Sequence, residues 1–150
     1  MSLGDISDAY KTRTKCKETG CSLKTNGIQC VVIDAEQYQH SDARMCDCVV
    51  VVDRGHFIIG VCELKSGRYQ IRKIKEQLDE GVKLAENIRN CHLSAHKCKI
   101  LPILIGKKPK GLQGILLDRN YVKIDGKKSP IIRYNCGTCM SEIISDLSLQ

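Results

Sequence analysis

Residues 46–67 read CDCVVVVDRGHFIIGVCELKSG. Residues 46–52 form an apolar run interrupted only by Asp47. Residues 57–64 form a second run interrupted only by Glu63, and Lys65 follows directly. Their length, their β-branched content and the Asp53-Arg54-Gly55 turn between them predict the two strands of a hairpin rather than a helix. Strands that are apolar on both faces belong in the middle of a covered sheet. Three charged side chains therefore stand where a core wants none.

The turn sets the register. A three-residue loop closing on a left-handed Gly55 pairs Val52 with His56 and Asp47 with Val61. Side chains alternate along a strand, so Asp47, Val61, Glu63 and Lys65 share one face, with Asp47 and Glu63 as diagonal neighbours within reach of one ion. A two-residue loop would put the two carboxylates on opposite faces. Two poorly solvated carboxylates side by side are tolerable with a cation between them. Their hard oxygens suit Mg²⁺ or Mn²⁺ rather than zinc or copper. Lys65 adds a compact positive charge one pleat away. Such a set suits phosphodiester hydrolysis: a metal polarises a phosphate oxygen and acidifies a bound water, and a lysine orients that water or stabilises the charged transition state. The competing reading is an edge hairpin whose charges form a solvated ion pair. The flanking apolar runs argue against an exposed edge.

Asp47, fifteen intervening residues and then Glu63-Leu64-Lys65 resemble the signature of the PD-(D/E)XK nuclease superfamily. The family's proline before the aspartate is replaced here by Cys46. The resemblance spans residues 30–106 by element order. It implies a restriction-endonuclease-like αβββαβ core and Mg²⁺-dependent nuclease activity. Asp47, Glu63 and the Leu64 backbone carbonyl would hold the metal, with Lys65 beside the attacking water. It also implies an acidic residue on a first core helix, for which Glu18 is the candidate. Some branches carry a functional glutamine on the helix after the lysine, which points to Gln77.

Around this centre the chain reads as one α/β domain over residues 1–150, long enough for a real core. Residues 6–17 carry an amphipathic pattern with Asp5 or Ser7 able to cap it. Residues 28–34, IQCVVID, predict the first strand of a three-strand meander. Residues 35–45 are a polar loop holding Glu36, His40, Asp42 and Arg44, where substrate contacts and a phosphate-holding arginine are natural. Residues 71–90 predict the longest helix, with Ile71, Ile74, Leu78, Val82, Ala85 and Ile88 on one stripe. Gln77 borders that stripe. Residues 99–106 predict a strand returning parallel to the sheet, with Pro102 at a bulge or facing an open side. Lys107, Lys108 and Lys110 form the densest basic run and, with Arg44 and Arg68, are the expected phosphate-backbone contacts. Segments 121–125 and 131–134 are read as an added hairpin turning at 126–128, before a short terminal helix at 141–149.

The chain carries ten cysteines and no apolar stretch of the kind that opens a signal peptide, so reduced thiols or metal ligands are preferred over a disulfide framework. Cys16-x4-Cys21 and Cys136-x-x-Cys139 flank the core and are read together as a structural zinc site. An iron–sulfur cluster is the lesser alternative and buried free thiols the competing reading. The net charge of +7 is compatible with a polyanionic partner, while five tyrosines, one phenylalanine and no tryptophan argue against a base-stacking platform for single strands. No run approaches the ~20 apolar residues that span a bilayer, and the expectation is a cytoplasmic or otherwise intracellular protein that uses no membrane. The expected partner is nucleic acid, DNA in preference to RNA. A homodimer would supply the two sites that cutting both strands calls for. The alternative function is a non-catalytic nucleic-acid- or protein-binding module of the same fold.

Overall fold

The computed structural model describes residues 2–40, 42–107 and 120–147. Lys108, Lys110 and the predicted apolar segment 114–118 lie outside the described residues. The molecule is mixed α/β, with a central mixed sheet and three helices among the described residues.

Helix α1 covers Leu3–Ala9, and Ser2 caps it in a reciprocal box with Asp5. It stops well short of residue 17. Thr12–Arg13 form β1 and pair antiparallel with Cys30–Asp34, the strand β4. Cys16–Glu18 and Cys21–Leu23 form a small hairpin, β2–β3. The expected first helix is thus only half as long, and Glu18 stands on a strand. Cys16, Cys21 and Leu23 are buried while Lys17 is exposed, the alternation of a strand covering a core. A 3₁₀ turn at Ala35–Tyr38 follows β4.

Cys48–Asp53 (β5) and Phe57–Lys65 (β6) form the central hairpin. Helix α2, Ile71–His92, then leads to β7, Cys98–Gly106. The main sheet runs β1-β4-β5-β6-β7-β10, with β10 at Ile132–Tyr134. Strands β4, β5 and β6 are antiparallel neighbours, whereas β7 lies parallel to β6 and β10 parallel to β7. Strand β10 covers only Ile103–Ile105 of β7, so that edge is open at Pro102.

The C-terminal hairpin differs from the expected one. Tyr121–Ile124 (β8) pairs with Lys127–Pro130 (β9), and Ile132–Tyr134 joins the main sheet instead. Asp125 and Gly126 both have positive φ, so these two residues alone make the turn. Helix α3 spans Met140–Asp146, starting one residue before the expected terminal helix at 141–149.

Two cores explain the unbroken apolar runs. On one face Val49, Val51, Ile59 and Val61 pack under Ile6 and the Ile74, Leu78, Val82 and Ile88 stripe of α2. On the other face Val50, Val52, Ile58 and Ile103 pack under Leu23, Met140, Ile143 and Ile144. Strands β5 and β6 are covered on both sides, as continuous apolar runs require. Close packing on the α2 face depends on Gly81: a Cβ there would collide with the side chains of Val61 and Cys46.

Candidate functional site

The β5–β6 turn is a three-residue loop, but it comprises Arg54, Gly55 and His56, because Asp53 pairs with Phe57. Gly55 lies in its middle at φ 86°, and the Asp53 side chain accepts from the Gly55 N–H at 3.1 Å. Asp53 is thereby held in the strand as the turn's cap, and the register shifts by two residues from the expected pairing. The parity is unchanged, so Asp47 and Glu63 still share a face. They move closer: Cys48 pairs with Cys62, so Asp47 stands opposite Glu63 rather than opposite Val61.

The pair is deeply placed. Asp47 is 7% exposed and Glu63 only 1%. Asp47 Oδ2 accepts from the Leu64 N–H at 2.7 Å. Glu63 Oε2 lies 3.2 Å from Lys65 Nζ, whose side chain keeps 32% of its exposure. Glu63 Oε1 is buried with no hydrogen-bond donor. Leaving such an oxygen unmet costs about 1–3 kcal/mol, more when it is charged. Burial pushes the Asp47 carboxyl up to about 7, and contact with Glu63 adds to the effect. Glu63 is raised as well, again by burial, while Asp47 and Lys65 pull it back down. Two adjacent carboxylates, only one of them paired with a lysine, hold a proton that a cation would displace.

Two further acids meet Asp47 but not Glu63. One carboxylate oxygen each from Glu18, Glu36 and Asp47 lies within 4.8 Å of the other two. Glu18 reaches the site from β2 and is steadied by Arg13 Nη1 at 3.2 Å. Glu36 comes from the 3₁₀ turn after β4. Its carboxyl is raised first by lost hydration and then by Asp47. Arg13 carried no sequence signal, and Glu36 read as a loop residue for substrate. The signal for Glu36 was its place two residues after β4, the strand paired with β5. The Glu18–Glu36–Asp47 set is all oxygen and net negative, as a hard divalent cation requires, and the donorless oxygen of Glu63 stands across the strand pair from Asp47.

Gln77 is 7% exposed on α2, and its Oε1 also has no donor. It lies one turn before Gly81, which abuts Val61, and so stands level with Glu63 two residues along β6. Arg44, Arg68 and Lys107 are exposed. Lys107 follows β7, whose last residue Gly106 pairs with Lys65, and its carbonyl accepts from the Tyr69 hydroxyl.

The four terminal cysteines do not form a tetrad. Cys21 and Cys136 are joined in a disulfide across 115 residues. Cys16 is buried beside Cys48 and Cys62; the Cys48 contact pulls its thiol down, but the Cys62 contact and burial outweigh it and hold the thiol far up. Cys139 is a free thiol at the start of α3. Leu23 and the α3 residues fill the space between these segments with apolar side chains, which leaves the thiols as core packing and a cross-link.

Comparison with protein families, curated proteins and solved structures finds no match. No helix among the described residues is long and apolar enough to cross a membrane.

Proposed function

We propose that this chain is a divalent-cation-dependent nuclease of the PD-(D/E)XK type, hydrolysing phosphodiester bonds of DNA in preference to RNA. The observation that carries the reading is the buried Asp47–Glu63 pair, with one donorless oxygen and an ammonium group 3.2 Å from the other oxygen of Glu63. A pair of buried acids that merely filled a core would cost stability and return nothing. The element order supports the reading too. The sequence α1, β4, β5, β6, α2, β7, with an antiparallel β4-β5-β6 meander and β7 parallel to β6, is the order that the PD-(D/E)XK resemblance implies.

Asp47 and Glu63, with Glu36 and Glu18 at their side, would hold Mg²⁺ or Mn²⁺. When bound, the ion supplies Lewis-acid polarisation of the phosphoryl oxygen and a more acidic water. The Leu64 N–H orients Asp47 toward Glu63. Glu63 holds Lys65 in place, and the part-exposed ammonium faces the side from which substrate and water arrive. There it steadies the charge that develops as water adds to phosphorus and the bond to the leaving sugar oxygen breaks. Gln77, buried on α2 at the level of Glu63, would add a polar side chain to the same end of the site.

The test is cleavage of plasmid DNA and of a labelled single strand with Mg²⁺, Mn²⁺ or EDTA, comparing wild type with Lys65→Ala. Cutting should require the metal and fall by about 10²–10³-fold in the variant. Equal inertness of both proteins on both substrates would favour the binding-module alternative.

A further inference from the structure

The β8–β9 hairpin is pinned to α2. Arg89 donates to both oxygens of Asp125 at 2.6 and 2.7 Å, and Glu86 accepts from the Asp125 N–H at 3.3 Å. Between this hairpin, the last turns of α2 and the start of β7 lies a cleft of about 360 Å³. Among the described residues Asp125 is the one carboxylate lining it, and Arg89 already balances that charge. Lys99, Lys127 and Lys128 line it as well, and none of them forms an ion pair among the described residues. Lys128 Nζ stands 4.6 Å from the centroid of the Tyr121 ring, and Lys75 Nζ stands 5.0 Å from the same centroid. An exposed ammonium gains only about 0.5–1 kcal/mol from a ring, so one tyrosine does not balance two of them. Ser129 adds a hydroxyl donor to the lining. Three ammonium groups outside any ion pair, two on the hairpin and one on β7, are complementary to an anionic oxygen ligand, and lysines bind phosphate as point charges.

We propose that this cleft is a second anchoring site, binding backbone phosphates of a nucleic acid whose scissile bond lies at the Asp47–Glu63 centre. The identity of the ligand rests on the nuclease reading above. The cleft lies toward the other end of β7 from that centre: Lys99 pairs with Ile58, and Leu104 pairs with Glu63. Those five steps along β7 measure ~17 Å at about 3.3 Å per residue. The separation matches about five base pairs of duplex at ~3.4 Å each. Contacts at both ends would favour longer substrates over shorter ones.

The experiment uses Lys99→Ala/Lys127→Ala/Lys128→Ala, which removes three exposed side chains and leaves the core intact. Binding of a labelled duplex of about 20 base pairs is followed by anisotropy in EDTA, between about 50 and about 200 mM salt. Wild type should bind. The variant should bind at least about tenfold more weakly at low salt, with a log–log salt slope smaller by about 2–3. A slope within about half a unit of wild type overturns the proposal, as does a wild type that binds no duplex. Amide resonances of Lys127 and Ser129 are followed in parallel with inorganic phosphate and with duplex. Shifts caused by phosphate that duplex neither reproduces nor displaces would mark a free-phosphate site and also overturn it. Metal-dependent cleavage of a trinucleotide, too short to span both sites, separates the two readings. The triple variant should cut it at the wild-type rate, and Lys65→Ala should not. If wild type cuts nothing with any metal while the slope still falls in the triple variant, the nuclease reading fails and the anchoring site stands.

Discussion

The Asp47 carboxylate accepts a 2.7 Å hydrogen bond from the Leu64 N–H, tying the residue before β5 to the backbone between Glu63 and Lys65. One neutral donor lowers the proton affinity of Asp47 less than burial and Glu63 raise it, and the group sits at about 7 against an ordinary 3.8. Asp47 therefore binds its proton more tightly folded than unfolded. Without a cation, its contribution is most favourable at acid pH and is lost as pH rises from about 4 through about 7, by no more than about 1.4 kcal/mol per pH unit. In EDTA the Tm should be lower near pH 8 than near pH 5. Asp47→Asn keeps an oxygen for Leu64 and should flatten that dependence. A variant whose melting curve tracks wild type across this range would clear Asp47 as its source.

A cation reverses the same term. Mg²⁺ competes with the proton shared by Asp47 and Glu63, so its stabilising effect should grow with pH. At a hundredfold excess over its dissociation constant, an ion bound only by the folded chain adds about 2.7 kcal/mol. Glu63→Gln removes one buried carboxylate and should lose most of the Mg²⁺-induced rise in Tm. Scanning calorimetry with and without Mg²⁺ reads this directly, and an undiminished rise in Glu63→Gln would place the ion elsewhere.

The centre of the fold was legible because its signals are redundant. Strands β5, β6 and β7 are apolar over most of their length, and α2 carries a six-member stripe, so burial on two faces and on one stripe leaves few alternatives. The shared face of Asp47 and Glu63 followed from parity, which a shift of two residues does not change. The register itself was hidden, because it depends on whether Asp53 caps the turn or belongs to it. The ends were less legible. The amphipathic pattern through residue 17 suits a helix, but its later half alternates as a short strand over the second core. At the C-terminus the decisive signal is Asp125-Gly126, a dipeptide suited to a two-residue turn that starts one residue before the expected turn at 126–128. The acids from Glu18 and Glu36 meet Asp47 only through tertiary packing, and no spacing in the sequence encodes that.

The Cys21–Cys136 cross-link should govern stability and leave catalysis alone. It closes a loop across 115 residues, and loops of that length are stabilised by about 4–5 kcal/mol in the chain-entropy account. The same segments are also paired by backbone bonds from Lys24 to Thr138 at 2.9 Å, from Gly137 to Ser22 at 2.7 Å and from Met140 to Lys24 at 2.8 Å. Those bonds keep β3 against the C-terminal segment after reduction. Dithiothreitol should therefore lower the denaturant midpoint of wild type and leave that of Cys136→Ser unchanged. The cleavage rate of reduced, still-folded protein should stay within about twofold. A midpoint indifferent to reductant in wild type would mean that the cross-link carries no stability.

Gly81 links the packing to the chemistry. Alanine there would normally favour a helix by about 1 kcal/mol. Here its Cβ would collide with Val61 and Cys46, and overpacking of this kind costs about 1–3 kcal/mol. Relief requires α2 to move away from β6. Gln77, one turn earlier on the same face, would move with it and withdraw from Glu63. Gly81→Ala should therefore lose stability despite the better propensity and lower the cleavage rate, although residue 81 touches no reacting group. Val61→Ala opens space at the collision, so adding it to Gly81→Ala should recover part of both losses. The double-mutant cycle should then show a coupling above about 0.5 kcal/mol. If Gly81→Ala is as stable as wild type, the close approach of α2 to β6 is wrong, and with it the placement of Gln77 beside Glu63.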